Sequence, residues 1–309
     1  MNNPKPTIRI NVDVTNPGQF FACCGLLELA DRLWPGAEGW FEVANHSFCL
    51  HFFTEHAIET PHILLQRLIK CNVTNTMTTA QVHRRDELTT LLQEARKKVK
   101  EAGDKPTVEL EKRLKKLKDE KNVLDGLWRE EPIMFHSPFN LQVDWFLDKY
   151  SGGGKFKTWA GQQSVIDITL AMHKSISNGK WHDLGCEKWL KHPSDDSSVP
   201  FNFDANLGPQ SSSLDVGYSL DALGIHACTR PLIELGAFVG LQRFRPLQIG
   251  NKNLYRYRVW CQPLTVRVAS IAACTFLHLH RAVDYEFRLL YRTKYLKSFL
   301  PATPIGVLS

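Results

Sequence analysis

Thirteen residues, Ser151 to Gln163, read SGGGKFKTWAGQQ and place four kinds of chemistry side by side. Glycines let the backbone approach a ligand closely and adopt positive φ. The N–H groups they leave exposed can bind phosphate oxygens, so Gly152, Gly153 and Gly154 are candidate anion contacts. In an extended chain Lys155 and Lys157 share one side, where they can pair phosphates, while Trp159 offers a flat ring for stacking. Gln162 and Gln163 carry amides that donate and accept at base edges. The competing reading is a turn whose tryptophan packs back into a core.

A second concentration of cations and rings lies near the C-terminus. QRFRP, YRYRVW and RLLYRTKYLKSF interleave Arg243, Arg245, Arg256, Arg258, Arg292, Lys294 and Lys297 with Tyr and Phe. Strand alternation puts Arg256 and Arg258 on one face and Tyr255 and Tyr257 on the other. The expectation is a basic sheet face or groove. If about six of these charges neutralise phosphates, affinity for duplex DNA falls with a log–log salt slope of roughly −5.

Bond-breaking machinery is harder to find. The sequence contains no G-x-S-x-G, no H-E-x-x-H and no phosphate-binding G-x-x-x-x-G-K-[ST]. Gly152 to Lys155 lacks both the spacing and the hydroxyl residue that a magnesium–phosphate cradle needs. His278-Leu279-His280 with Asp284 is the best metal candidate, because two imidazoles on one strand face can meet one ion. No upstream cluster completes that ligand set, and no cofactor is expected.

Positioning these residues requires a scaffold, and the chain has the material for one. Its 309 residues are 43% apolar and 23% charged, with a net charge of +6, a mild lean toward anionic partners. No apolar run is long enough to span a bilayer, and MNNPKPTIRI is not laid out as a signal peptide. The expected location is the cytoplasm, with the eight cysteines reduced.

TIRINVDV alternates as a half-buried strand, and TNPGQFFACCGLLELADRLW then follows with helical spacing. WFEVANHSFCLHFF reads as a hairpin and TPHILLQRLIK as a helix opened by Thr60 with Pro61 at its first position. From about residue 84 to 121, Glu, Lys, Arg and Leu dominate. Two helices broken near Gly103-Asp104-Lys105-Pro106 are expected there, as an inserted antiparallel hairpin. Its basic coat reads as solvated ion pairs or as a contact for a nucleic-acid backbone. The fold class expected is α+β: a mixed-sheet lobe over residues 1–192 carrying the charged hairpin, then an α/β lobe over 193–309.

Taken in order, DVTNPGQFFACCGLLELADRLWPGAEGWF, KTWAGQQS, LDVGYSLDAL, RPLIELGAFVGLQRFRP, YRYRVW and KSFLPATP span the whole chain. In these phrases the sequence resembles the CRISPR-associated protein of type I-U (also called I-G) systems. That protein is the short form of the large-subunit family of Cascade surveillance complexes. The charged segment at 84–121 carries least of the likeness.

The resemblance implies a non-catalytic subunit in antiviral defence, working beside a crRNA, target DNA, and the backbone and crRNA-processing subunits. Large subunits of this kind read the protospacer-adjacent motif, help open the duplex, steady the displaced strand and dock the helicase–nuclease. On that footing the glycine–lysine stretch is expected to be a motif-reading loop. The alternatives are an endonuclease using His278 or His280, and a scaffold whose basic faces meet only acidic protein.

Overall fold

The computed structural model describes residues 3–53, 62–101, 108–147, 154, 156–159, 163–179, 181, 184–194, 199–206, 228–250, 253–277, 279–291 and 297–306. The chain opens with β1 (Ile8–Asn11), whose Ile8 and Ile10 point inward. Helix α1 (Pro17–Leu33) follows, with Asn16 as its N-cap accepting a hydrogen bond from Gln19 N and proline at the first turn. Next come β2 (Glu38–Glu42) and β3 (Ser47–His51), joined by a short turn ending in left-handed His46. Helix α2 (Ile63–Lys70) leads to β4 (Val73–Asn75).

Two long helices, α3 (Thr79–Glu101) and α4 (Val108–Glu130), then separate β4 from its partner β5 (Ile133–Phe135). Strand β6 (Leu141–Val143) completes that three-stranded sheet, and α5 (Val165–Asn178) starts at the N-cap Ser164. The charged hairpin is therefore an insertion in a β-hairpin connection, longer at both ends than the composition indicates. Beyond it lie α6 (Pro231–Gly240), β7 (Leu247–Gln248), β8 (Leu254–Trp260) and β9 (Leu264–Thr265). Helix α7 (Val266–Ala273), β10 (Ala282–Tyr291), β11 (Lys297–Phe299) and β12 (Thr303–Ile305) finish the chain.

The class is α+β. Strand orders are β1-β3-β2-β9, β4-β5-β6 and β11-β10-β8-β7 with β12 on β10. Every strand pairing among the described residues is antiparallel, so the expected mixed sheet is replaced by three antiparallel ones.

One core runs across the expected boundary near residue 192. Helix α6 is buried along all its length, so it cannot be amphipathic and must sit at the centre. It crosses α1 so closely that a Cβ on Gly25 would collide with the Gly236 carbonyl, and one on Gly240 with the Phe21 carbonyl. From α1, the Phe20 ring stacks on Tyr257 of β8 at 4.3 Å and on Phe41 of β2 at 5.3 Å. Trp260 Nε1 donates to the Gly39 carbonyl at 2.7 Å, and Tyr257 Oη to the Val14 carbonyl at 2.6 Å. Because β9 also pairs with β2, the C-terminal half of the chain is woven into the N-terminal sheet.

Candidate nucleic-acid interface

Gly152, Gly153, Lys155 and Gln162 lie outside the described residues, as do Arg292, Lys294 and His278. What remains of the opening stretch is pinned by its aromatic residues. Phe156 is 7% exposed and Trp159 5% exposed. Trp159 sits 5.2 Å from Phe201 and 6.0 Å from Trp145 in edge-to-face contacts, and Phe156 lies 4.8 Å from Tyr255. Thr158, fully buried, donates its hydroxyl to the Phe201 carbonyl and accepts Lys297 N at 3.0 Å.

The expectation that Trp159 stacks a ligand base is thus corrected: neighbouring rings crowd its indole and leave no platform. Burying a ring of that size is worth a few kcal/mol, more than leaving it ready for a partner. Gly154 is half-buried, and its carbonyl accepts Lys297 Nζ at 3.4 Å while the ammonium also lies 5.2 Å from the Tyr291 ring centre. Here the glycine contributes an acceptor, and Lys297 is engaged within the fold.

Above this aromatic floor opens a cleft of about 930 Å³, lined by Arg129, Gln142, Asp144, Lys157 and Gln163 among others. Three elements build its walls: the C-terminal turn of α4, the end of β6 and the start of α5. Trp128 Nε1 donates to Asp167 Oδ1 at 3.0 Å, tying the last turn of α4 to the first turn of α5. Asp144 is held in place by Gln242, whose Nε2 reaches Asp144 Oδ1 at 3.0 Å and whose Oε1 accepts the Asp144 and Trp145 amides.

Arg129 is oriented by its Nε bond to the Asp125 carbonyl at 3.0 Å. The lining mixes cations with Glu130, Glu131 and Asp144. Its chemistry is that of hydrogen-bond matching, with amides, a carboxylate and a guanidinium in one concavity, rather than of bare charge. Arg129, Gln142 and Asp144 carry no sequence signal for such a site; tertiary structure alone brings them to Lys157 and Gln163.

The C-terminal arginines are arranged differently from expectation. Tyr255 and Tyr257 do point inward, leaving Arg256 and Arg258 on the opposite face of β8. Strand β10, however, pairs Glu286 with Arg256 and Asp284 with Arg258 in register. Arg256 Nη2 meets Glu286 Oε1 at 2.6 Å, and Arg258 Nε meets Asp284 Oδ1 at 2.6 Å. The Asp284 hydrogen bond holds the Arg258 guanidinium above its ordinary pKa. Arg243 binds the buried Glu28 of α1 at 2.6 Å, and Arg245 Nη2 donates to the Gln242 carbonyl at 3.3 Å.

For Arg243, Arg256 and Arg258 the expected basic track is therefore a set of cross-strand and cross-helix ion pairs. Its signal was present in DYEF, where Asp284 and Glu286 alternate with the same period as the arginines. Those pairs also bear on the metal candidate, of which His278 lies outside the described residues. Asp284 belongs to Arg258 and His280 is exposed, and among the described residues no group of three His, Cys, Asp or Glu could hold an ion.

One further polar constellation is enclosed. Glu234 of α6, fully buried, accepts the Phe203 amide at 3.2 Å and the Asp204 amide at 3.0 Å. Asp204, also fully buried, accepts Asn16 Nδ2 at 2.7 Å and lies 2.9 Å from Arg230 Nε. Burial, and then the Asp204 charge, push the Glu234 carboxyl up to about 7. Its hydrogen bonds clamp residues 203–204 between α1 and α6, away from solvent. Set against known proteins, the chain matches no family model, no curated protein and no solved structure.

Proposed function

We propose that this chain is a non-catalytic, DNA-binding subunit of a type I CRISPR RNA-guided surveillance complex. Its cleft reads a short duplex motif, while pairing with the crRNA reads the remaining sequence. The observation that carries this reading is the cleft itself, where Lys157 and Gln163 of the phrase KTWAGQQS meet Arg129, Gln142 and Asp144 over a rigid aromatic floor. Amide, carboxylate and guanidinium groups are the ones that discriminate base edges, each good pairing being worth about 1–3 kcal/mol. Of the other phrases of the resemblance, DVTNPGQFFACCGLLELADRLWPGAEGWF and RPLIELGAFVGLQRFRP supply the α1–α6 crossing and YRYRVW the β8 strand, which support the fold around the cleft, while LDVGYSLDAL lies outside the described residues. In this role the partners are the crRNA, target DNA, the backbone and crRNA-processing subunits, and the helicase–nuclease recruited after duplex opening.

The test is binding of labelled duplexes with randomised flanking motifs to the chain assembled with its crRNA and companion subunits. Combined Lys157→Ala, Gln163→Ala and Arg129→Ala changes are expected to reduce motif discrimination by at least tenfold, the equivalent of one lost base contact. Undiminished discrimination by a variant that melts like the wild type would overturn the assignment of the cleft.

A further inference from the structure

We infer that the distal half of the α3–α4 hairpin is a second nucleic-acid contact, one that grips the sugar–phosphate backbone without reading sequence. The inference rests on the reading of the chain as a nucleic-acid-binding subunit but uses a different surface from the cleft.

Each helix has 23 residues and so extends about 35 Å. Charge is divided along this length. Near the sheet, Arg84 binds Glu120 at 2.7 Å, Arg85 binds Asp125 at 2.8 Å and lies 4.5 Å above the Trp128 ring, and Lys121 binds Asp125 at 2.5 Å. There Arg84 and Arg85 stitch the two helices together, while Lys121 pairs within α4. Farther out, residues 94–101 and 108–118 carry nine Lys and Arg against four Glu. Only one ion pair forms there among the described residues, Lys97 with Glu101 at 3.9 Å. Were each glutamate to take one cation, five would still be uncompensated.

Helical spacing sharpens the pattern. Lys112, Lys115 and Lys116 fall at i, i+3 and i+4, all exposed along a shallow groove of α4 that continues toward the sheet over Asp119, Glu120 and Val123. Side chains so spaced stand about 5–6 Å apart, and like charges at that distance weaken the helix by a few tenths of a kcal/mol. Arg96 and Lys100 repeat the arrangement on α3. A polyanion reverses the sign of that repulsion.

Phosphate is the fitting partner because the distal half offers little else. Its only large, exposed apolar side chain among the described residues is Val108. A protein interface draws on a buried apolar centre, and a membrane-binding helix on a wide apolar face; the described residues of the distal half present neither.

The experiment compares the full chain with a variant carrying Arg96→Gln, Lys98→Gln, Lys112→Gln, Lys115→Gln and Lys116→Gln. The probe is a labelled DNA duplex of mixed sequence, titrated from about 50 to about 200 mM salt. The expected result is at least a tenfold loss of affinity at low salt, equal for all sequences, with the salt slope reduced in magnitude by about 2 or more. Arginine in place of the three α4 lysines should retain binding. Wild-type affinity and slope in the glutamine variant, with cleft-dependent motif selection intact, would overturn this inference and leave the proposed function standing. A wild-type chain whose binding to any duplex is absent or indifferent to salt would overturn both. Loss of an acidic protein partner with unchanged DNA binding would also overturn it.

Discussion

Replacing Glu234 with glutamine should change how the stability of this protein depends on pH. The carboxyl is fully buried, and desolvation raises it from an ordinary 4.5 up to about 7, helped by the nearby Asp204 charge. Between those two values the folded chain holds a proton that the unfolded chain has released. Stability therefore falls as pH rises, by about 1.4 kcal/mol per unit for this one group. Across the interval, ionising Glu234 withdraws about 3 kcal/mol, a large share of what holds a typical domain folded.

Glutamine is a permanently neutral relative of the same shape. Its amide nitrogen replaces one of the two oxygens that accept the Phe203 and Asp204 amides, which costs about 1–3 kcal/mol at every pH. Denaturant unfolding measured from about pH 5 to about pH 8 should show the wild type ahead in acid and losing ground steadily above it. The variant starts lower and lacks this component, so the two curves converge as pH rises. Parallel curves over that range would refute the reasoning, since they would mean that Glu234 does not titrate with folding.

Other outcomes follow from the same packing. Gly25→Ala forces a methyl against the Gly236 carbonyl, where two helix backbones rather than a flexible side chain must move; a loss of about 3 kcal/mol in thermal or chemical unfolding is expected. Trp159→Ala empties the aromatic floor of the cleft and should cost about 3–5 kcal/mol, visible as a lowered melting temperature. Arg258→Ala leaves Asp284 without its partner and should cost about 1–3 kcal/mol; Asp284→Asn in the same chain recovers part of that loss. In the native protein a thiol reagent should label Cys228, which is exposed, well ahead of Cys23 and Cys24, whose burial holds them fully enclosed and their thiols well above the ordinary range. Full reactivity of all eight cysteines is expected only in denaturant.

Sequence alone determined the local architecture, because period and punctuation are properties of neighbouring residues. The alternation of Ile8 and Ile10, the Asn16-Pro17 helix start, the inserted charged hairpin and the inward tyrosines of YRYRVW are all legible as written. Even so, the single-strand pattern that put Arg256 and Arg258 on one face could not say what faces them. That depended on the register of β10, which set Glu286 and Asp284 opposite and turned a predicted basic face into ion pairs.

The same limit applies to the glycine–lysine stretch. Whether Trp159 lay open or packed inward depended on Trp145 and Phe201, residues distant in sequence that fold into its shell. Tertiary structure likewise assembled the cleft, drawing Arg129 from α4, Gln142 from β6 and Lys157 from the segment before α5, and merged the two expected lobes into one core through the α1–α6 crossing. The physical reason is common to all these cases: a side chain's type and period depend on the chain nearby, but its charge balance and its exposure depend on whatever the rest of the chain brings against it.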